Sequence, residues 1–384
     1  MVNVNIIESF KNTLLFEDMK MQYLNQDFFE FPIIKKEMIF DEKQILNYKM
    51  KKDCIILETS GTTGIPLKIF WNQFDYIKSN LSLWRLRKLW YNISIRDRYC
   101  IFHSAAAGQN IINNRIVIVN DYVMSLNRSI ISEEILDEYI NYMIEFGIKW
   151  IQAPVSILLL LAVCIQKKGK KIPTLSYIEQ NGEYASSNEL SFIKSVFGVP
   201  LGNLYGSMEF NGIAFTCPYG TMHVLENNVF VEEISNRLII STQTNILEPL
   251  IRYDLGDLGV LKKKHICKCG MCSDTLDLKY GRINDFKQIE KFGIVDVSIF
   301  NNVIILINRD FDNTVKQFYV TSKENIIILK LFVRSEDEKD ILRRKEFYLH
   351  SISCLKQGFN IEIEFYRNYY NNNIRKRNLY VQYE

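Results

Sequence analysis

The sequence predicts an α/β protein in two parts: a large N-terminal domain of β-sheet flanked by helices, and a small α+β C-terminal domain. Three observations carry this. Apolar runs of strand length alternate with helix-length stretches from about Arg98 to Val196, and that alternation implies βαβ units on a mostly parallel sheet. At 384 residues the chain exceeds what one core usually spans, so two domains are expected. After Asp285 the pattern changes to β-rich runs around one helical stretch. The boundary is therefore placed there, with domains at 1–284 and 285–384.

Residues 1–50 alternate short apolar clusters with Asn, Lys and Glu and read as helices with loops. The run Cys54 to Leu57 reads as a strand that empties into Glu58-Thr-Ser-Gly-Thr-Thr-Gly-Ile-Pro-Leu-Lys68. Gly61 and Gly64 allow backbone conformations closed to other residues. Ser60, Thr62 and Thr63 add hydroxyl donors, and Lys68 adds a positive charge. Successive N–H groups in such a turn form an anion-binding concavity; a polar surface turn is the plainer alternative. No G-x-x-x-x-G-K-[ST] string exists, so this is not a Walker loop.

A helical apolar period follows over 75–92. Then come a strand (Arg98 to His103), a small-residue turn (Ser104 to Gly108), a β-rich run (Ile116 to Val123), and a helix opened by Ser132. Trp150 to Pro154 reads as strand then turn, Val155 to Lys167 as a buried helix, and Tyr177 to Glu183 as strand into a Gly182-Glu183 turn. A helix over Ser187 to Val196 leads to Gly202-Asn-Leu-Tyr-Gly-Ser-Met-Glu209, a short apolar piece ending in a glycine turn with an acid. Met222 to Thr242 is strand after strand. Beyond Asp285, Ile294–Asn308 and Gln317–Val333 read as β-rich, Ser335–Leu355 as helical, and Asn360–Phe365 and Asn378–Gln382 as strands.

Composition excludes several classes. Hydrophobic residues at 47% and charged residues at 24% are ordinary for a globular protein. A net charge of +3 without a dense basic stripe gives no argument for a nucleic-acid partner. The longest apolar run, Ile157 to Ile165, is too short for a membrane span, and the acidic N-terminus lacks a signal-peptide core. No membrane partner is expected, and the cytoplasm is the expected compartment. The Lys167–Lys171 run reads as a solvated helix end.

Eight cysteines in so long a chain do not make a disulfide scaffold; their clustering fits metal binding in a reducing compartment. Cys217-x5-His223 and Cys267-x-Cys269 offer soft S and N ligands in two pairs, which suits tetrahedral Zn²⁺, with Cys272 or His265 as substitutes. A fully protein-ligated site is structural rather than catalytic. Cys54, Cys100, Cys164 and Cys354 sit in apolar settings and read as core residues. His103 reads as a packing residue and His350 as a helix-surface residue.

Four strings occur in fixed order: Thr59-Ser-Gly-Thr-Thr-Gly-Ile-Pro66, Tyr205-Gly-Ser-Met-Glu209, Arg252-Tyr-Asp-Leu-Gly-Asp257 and Gly281-Arg-Ile-Asn-Asp285. Together they resemble the acyl-adenylate-forming superfamily, and within it the phenylacetate–coenzyme A ligase-like branch, from about Pro32 to the C-terminus. The resemblance implies a large adenylate-forming domain with a small C-terminal lid that rotates about a hinge at Asp285 between half-reactions. It implies that Ser60, Gly61, Thr62, Thr63 and Gly64 grip the triphosphate of ATP with Lys68. Tyr205 and Gly206 would lie near adenine, bordered by Gly182 and Glu183; Glu209 would hold Mg²⁺, Asp257 the ribose hydroxyls, and Arg282 a second ribose or phosphate contact. Asp254 and Leu255 depart from the usual Arg and Thr. Arg252 reads equally as a salt-bridged core arginine. The cysteine–histidine arrangement also resembles a structural zinc site in some members of the branch.

The implied activity is ATP-dependent conversion of a carboxylic acid, an aryl acid by family precedent or a small organic acid, to acyl-AMP with release of pyrophosphate. The acyl group then passes to coenzyme A or to the thiol of an acyl carrier protein. Such chemistry needs positioned cations and N–H donors more than a covalent nucleophile. The lid departs from the pattern: the family's Gly-Lys string is matched only by Arg375-Lys376, leaving Lys376 as the lid lysine. This opens two alternatives, transfer of AMP or acyl to an amine or hydroxyl, and a nucleotide-binding pseudo-ligase. A homodimer is left open.

Overall fold

In the computed structural model, residues 2–366 are described except 24–25, 36–37, 40–45, 47–53, 59–67, 104–115, 128–132, 283–285, 290–292, 297–299, 312–313, 316, 324–325 and 351–359. They fall into two compact units, the larger comprising Met1–Thr59, Leu67–Arg128 and Tyr139–Tyr280, the smaller chiefly the chain from Gly281.

The larger unit opens with helices α1 (Val4–Phe10) and α2 (Leu14–Tyr23) and a hairpin of β1 (Cys54–Glu58) and β2 (Lys68–Asn72), leading into α3 (Gln73–Tyr91). Asn72 caps α3 by accepting the Asp75 N–H at 2.7 Å, and Asn92, in the left-handed region at φ 54°, ends it. There follow β3 (Tyr99–His103), β4 (Ile116–Asn120), β5 (Val123–Asn127), α4 (Glu133–Phe146), β6 (Trp150–Ala153), α5 (Val155–Lys168), β7 (Tyr177–Asn181), α6 (Ser187–Phe197) and β8 (Leu201–Ser207). The remaining strands are β9 (Asn211–Thr216), β10 (Met222–Val224), β11 (Val229–Ile234), β12 (Arg237–Thr242), β13 (Tyr253–Ile266) and β14 (Cys272–Arg282).

One twelve-stranded sheet unites them in the order β11-β12-β13-β14-β10-β9-β8-β7-β6-β3-β5-β4. Strands β5, β3, β6, β7 and β8 run parallel, joined through α5 and α6 as the alternating pattern requires. Strand β9 then turns back antiparallel on β8, and the rest of the sheet continues as hairpins. The antiparallel half buries Ile213, Val229, Val231 and Leu238 against Phe10 and Phe16 of the N-terminal helices. The parallel half buries Trp150 and Tyr177, with Phe215 of the adjoining β9, against Leu83 and Leu86 of α3. Helix α5 is buried through Leu158, Leu161 and Ala162, and its basic end at Lys167 and Lys168 is exposed, as expected.

The smaller unit contains a hairpin of β15 (Phe286–Ile289) and β16 (Gly293–Asp296), helix α7 (Phe300–Asp310), strands β17 (Gln317–Lys323) and β18 (Ile326–Phe332), short helices α8 (Glu338–Arg343) and α9 (Lys345–His350), and β19 (Asn360–Phe365). Strand β18 is central, antiparallel to β17 and parallel to β19. The expected strand character of Ile294–Asn308 ends at Asp296. Phe300, Val303, Ile304 and Ile307 are instead buried at helical spacing on α7. Cys54 is exposed rather than a core residue, whereas Cys100 and Cys164 are buried. Cys354 and the strand expected over 378–382 lie outside the described residues.

Candidate functional site

The parallel strands β6, β7 and β8 end at one edge of the sheet, and the site is assembled there. Strand β7 runs into Gly182, whose φ of 72° favours glycine. The Gln180 amide donates to the Glu183 carbonyl and holds the turn closed. Asn181 lies opposite Leu204 of β8, so Tyr205 stands next along from the Gly182-Glu183 turn. Gly206 meets β9 so closely that a Cβ would collide with the Asn211 carbonyl oxygen. The glycine of the Tyr-Gly pair is thereby explained by strand contact. Glu209, partly exposed, sits in the turn between β8 and β9.

Strand β13 supplies the second half. The Tyr205 hydroxyl donates to the Asp257 carboxylate (Oδ2) at 2.8 Å across 52 residues of sequence. Asp257 is carried on a braced segment: Asp254 pairs with Arg237 and accepts the Gly256 N–H at 2.8 Å. The acid that departs from the family string thus has a structural task. Arg252 has one as well. Its guanidinium pairs with Glu232 at 3.1 Å and donates to the carbonyls of Phe29 and Phe31, with φ at 48°. Of its two readings, the salt-bridged core arginine is the one the geometry bears out.

Lys68 opens β2, exposed and opposite Glu58 of β1. The hairpin is tied down where the Phe70 N–H donates to Glu248 and Asn245 donates to the Phe70 carbonyl, at 2.9 Å. Ser60, Gly61, Thr62, Thr63 and Gly64 lie outside the described residues, as do Asp285 and Lys376. Arg282 ends β14, and its side chain is likewise outside them.

A second assembly lies at the other end of β13. Cys217 and Thr221–His223 of one hairpin meet Cys267 and Cys269 of another, and the four donor atoms of Cys217, His223, Cys267 and Cys269 lie within 4.8 Å of one another. The Cys217 and Cys267 sulfurs are 3.8 Å apart, and Cys269 Sγ is 3.3 Å from His223 Nε2. A tetrahedral ion with metal–sulfur bonds of about 2.3 Å sets sulfur–sulfur edges of about 3.8 Å, so the donor set fits. The Cys269 backbone N–H, then the Thr221 hydroxyl, bring the Cys267 thiol down to about 7, whereas burial pushes Cys269 up to about 11. Burial, and next the charge of His265, keep His223 below its ordinary value and so favour the neutral ligand form. Cys272 is exposed, with its sulfur 3.6 Å from the Lys264 carbonyl, and His265 is exposed; neither belongs to the four.

Sequence reasoning passed over two features. Arg87 of α3 forms a buried bidentate pair with Glu179 of β7, three residues before the Gly182 turn. Ser273, beside Cys272, reaches the ring of His223. Neither has a local signal, because each partner is distant in sequence or follows a residue already counted as a ligand candidate.

The fold that places these groups is that of the acyl-adenylate-forming enzymes. The chain superposes on 2-hydroxyisobutyryl-CoA ligase, in its postadenylation state with R3-HIB-AMP, with a TM-score of 0.67 at 11% identity, covering 98% of this chain and 88% of that one. It superposes on the McyG A-PCP protein complexed with phenylalanyl-adenylate with a TM-score of 0.56 at 11% identity, covering 85% of this chain and 65% of the other. In sequence it is similar to Protein CapK of Staphylococcus aureus, 22% identical over 356 residues, or 88% of this chain and 76% of that protein. No family model matches the chain. Among the described residues no helix is long and apolar enough to cross a membrane.

Proposed function

We propose that the chain is an ATP-dependent acid–thiol ligase that activates a small carboxylic acid as acyl-AMP and passes the acyl group to coenzyme A or a carrier thiol. The observation that carries this is the Tyr205–Asp257 hydrogen bond, which joins two of the four ordered strings within this fold. An aromatic ring tied to a carboxylate at a strand edge suits a nucleoside: the ring packs on adenine, and the carboxylate accepts from ribose hydroxyls.

In this reading the substrate carboxylate oxygen attacks the α-phosphorus, the bond to the β-phosphate bridging oxygen breaks, and pyrophosphate leaves. Lys68 and the hydroxyls and N–H groups of Ser60, Gly61, Thr62, Thr63 and Gly64 neutralise the phosphates, and Arg282 adds a contact. Glu209 is the carboxylate that would hold Mg²⁺; one carboxylate together with substrate phosphates is a sufficient set for that ion. Lys376 is assigned to the acyl carboxylate. An ATP–pyrophosphate exchange screen over aryl, fatty and amino acids tests the reading. Exchange with some acid is expected, with Lys68→Ala and Glu209→Ala each at least about 100-fold slower. Tight ATP binding without exchange across the panel would favour the pseudo-ligase alternative, and mass spectrometry of products separates thiol from amine or hydroxyl acceptors.

The same reading assigns one structural Zn²⁺ to Cys217, His223, Cys267 and Cys269, stapling two β-hairpins. The purified chain should carry about one zinc, as soft closed sites do. Cys217→Ser or Cys267→Ser should lose it and unfold at a lower temperature, since metal-binding energy is folding energy at such sites. Equal metal content in the variants and the parent, by mass spectrometry of the native protein, would refute the ligand set.

A further inference from the structure

We propose that Ser273 is the positioning residue that fixes the imidazole of His223 for metal ligation, accepting the Nδ1 hydrogen so that an unprotonated Nε2 faces the three sulfurs. The inference rests on the four-residue metal reading above and extends it to a residue outside the donor set. Ser273 Oγ lies 2.7 Å from His223 Nδ1, and both residues are buried. A hydrogen bond between a serine and an imidazole nitrogen can run in either direction. Its direction decides whether the remaining nitrogen carries a hydrogen or a lone pair.

The surroundings choose the direction. Ser273 Oγ is also 3.2 Å from the Asp274 carbonyl oxygen, which can only accept. The hydroxyl hydrogen therefore has its partner there, and the oxygen presents a lone pair to Nδ1. The hydrogen on Nδ1 leaves Nε2 as the base, and Nε2 is the atom 3.3 Å from Cys269 Sγ. The ring has little freedom to turn over. His223 is fully buried, its strand is held between β9 and β14, and the Trp90 ring stands 5.4 Å away at 47°. The hairpin that carries Cys267 and Cys269 thus also carries the group that orients the ligand contributed by β10.

A hydrogen-bond partner behind a ligating imidazole is worth about 10- to 100-fold in metal affinity. Zinc affinity of the full chain is measured by competition with a chromophoric chelator, for the parent, Ser273→Ala, Ser273→Thr and Ser273→Val. The last two have nearly the same shape and differ in the hydroxyl. The parent should bind one zinc; Ser273→Ala and Ser273→Val should bind about 10- to 100-fold more weakly, and Ser273→Thr should stay near the parent. Long-range ¹H–¹⁵N correlation should show the His223 ring protonated on Nδ1 in the parent and in Ser273→Thr. Equal zinc affinity of the threonine and valine variants would overturn the role of Ser273 and leave the four ligands standing. A parent chain that takes up no zinc would overturn both.

Discussion

Asp257→Ala is expected to lower kcat/KM for ATP in pyrophosphate exchange by about 100- to 10,000-fold, while Tyr205→Phe lowers it by about fivefold. Hydrogen bonds to a charged group are worth about 1.5–3 kcal/mol each, and each 1.36 kcal/mol is about a factor of ten. A carboxylate that accepts from two ribose hydroxyls therefore commands about two to four decades. The Tyr205 hydroxyl donates to the same carboxylate at 2.8 Å. Removing it takes away a donor that orients the carboxylate but does not itself touch the nucleotide, so nucleotide binding loses less, about 1 kcal/mol, and the ring stays in place. The ordering is the diagnostic part. If the 205–257 contact only packs two strands, both changes should move the unfolding temperature and leave KM for ATP alone. An Asp257→Ala enzyme within twofold of the parent would remove the ribose assignment.

The features that could be read from sequence have their signal in residue chemistry. Four soft ligands in two short-spaced pairs have few other uses, and Cys217, His223, Cys267 and Cys269 do converge. The strand–helix alternation from β6 to β8 was equally legible, because both periods are expressed over whole elements. Helix α7 was less so. Its segment, Phe300-Asn-Asn-Val-Ile-Ile-Leu-Ile-Asn, is rich in the β-branched residues that favour strands. The spacing of Phe300, Val303, Ile304 and Ile307 at i, i+3, i+4 and i+7 is helical in the sequence itself, and the β-branched content outweighed it in the reading. Cys54 shows the opposite error, an apolar neighbourhood on a hairpin strand that is partly solvated. Arg252 and Asp254 illustrate a third limit. A motif fixes which residues recur, but not whether an arginine reaches a ligand or caps the carbonyls of Phe29 and Phe31.

Glu179→Ala is expected to destabilise the fold by about 3–5 kcal/mol. Glu179 and Arg87 are almost wholly buried, and the guanidinium meets both carboxylate oxygens, at 2.8 and 2.5 Å. Gln152 adds a donor at 2.8 Å, and the Trp84 and Trp150 rings lie 4.4 and 5.0 Å from the guanidinium carbon. Desolvating two ions consumes most of their attraction, so the pair adds little net stability over apolar groups of the same shape. Removing one partner is a different matter, because the other charge then stays buried without compensation. Arg87→Met combined with Glu179→Leu should therefore cost less than Glu179→Ala alone. Chemical unfolding followed by tryptophan fluorescence reads this directly, since two indoles stand against the guanidinium. A loss under about 1 kcal/mol for Glu179→Ala would mean that water reaches Arg87. Because β7 continues from Glu179 into the Gly182-Glu183 turn, the same variant should also raise KM for ATP. The apolar double variant, which restores packing beneath that strand, should bring KM back toward the parent.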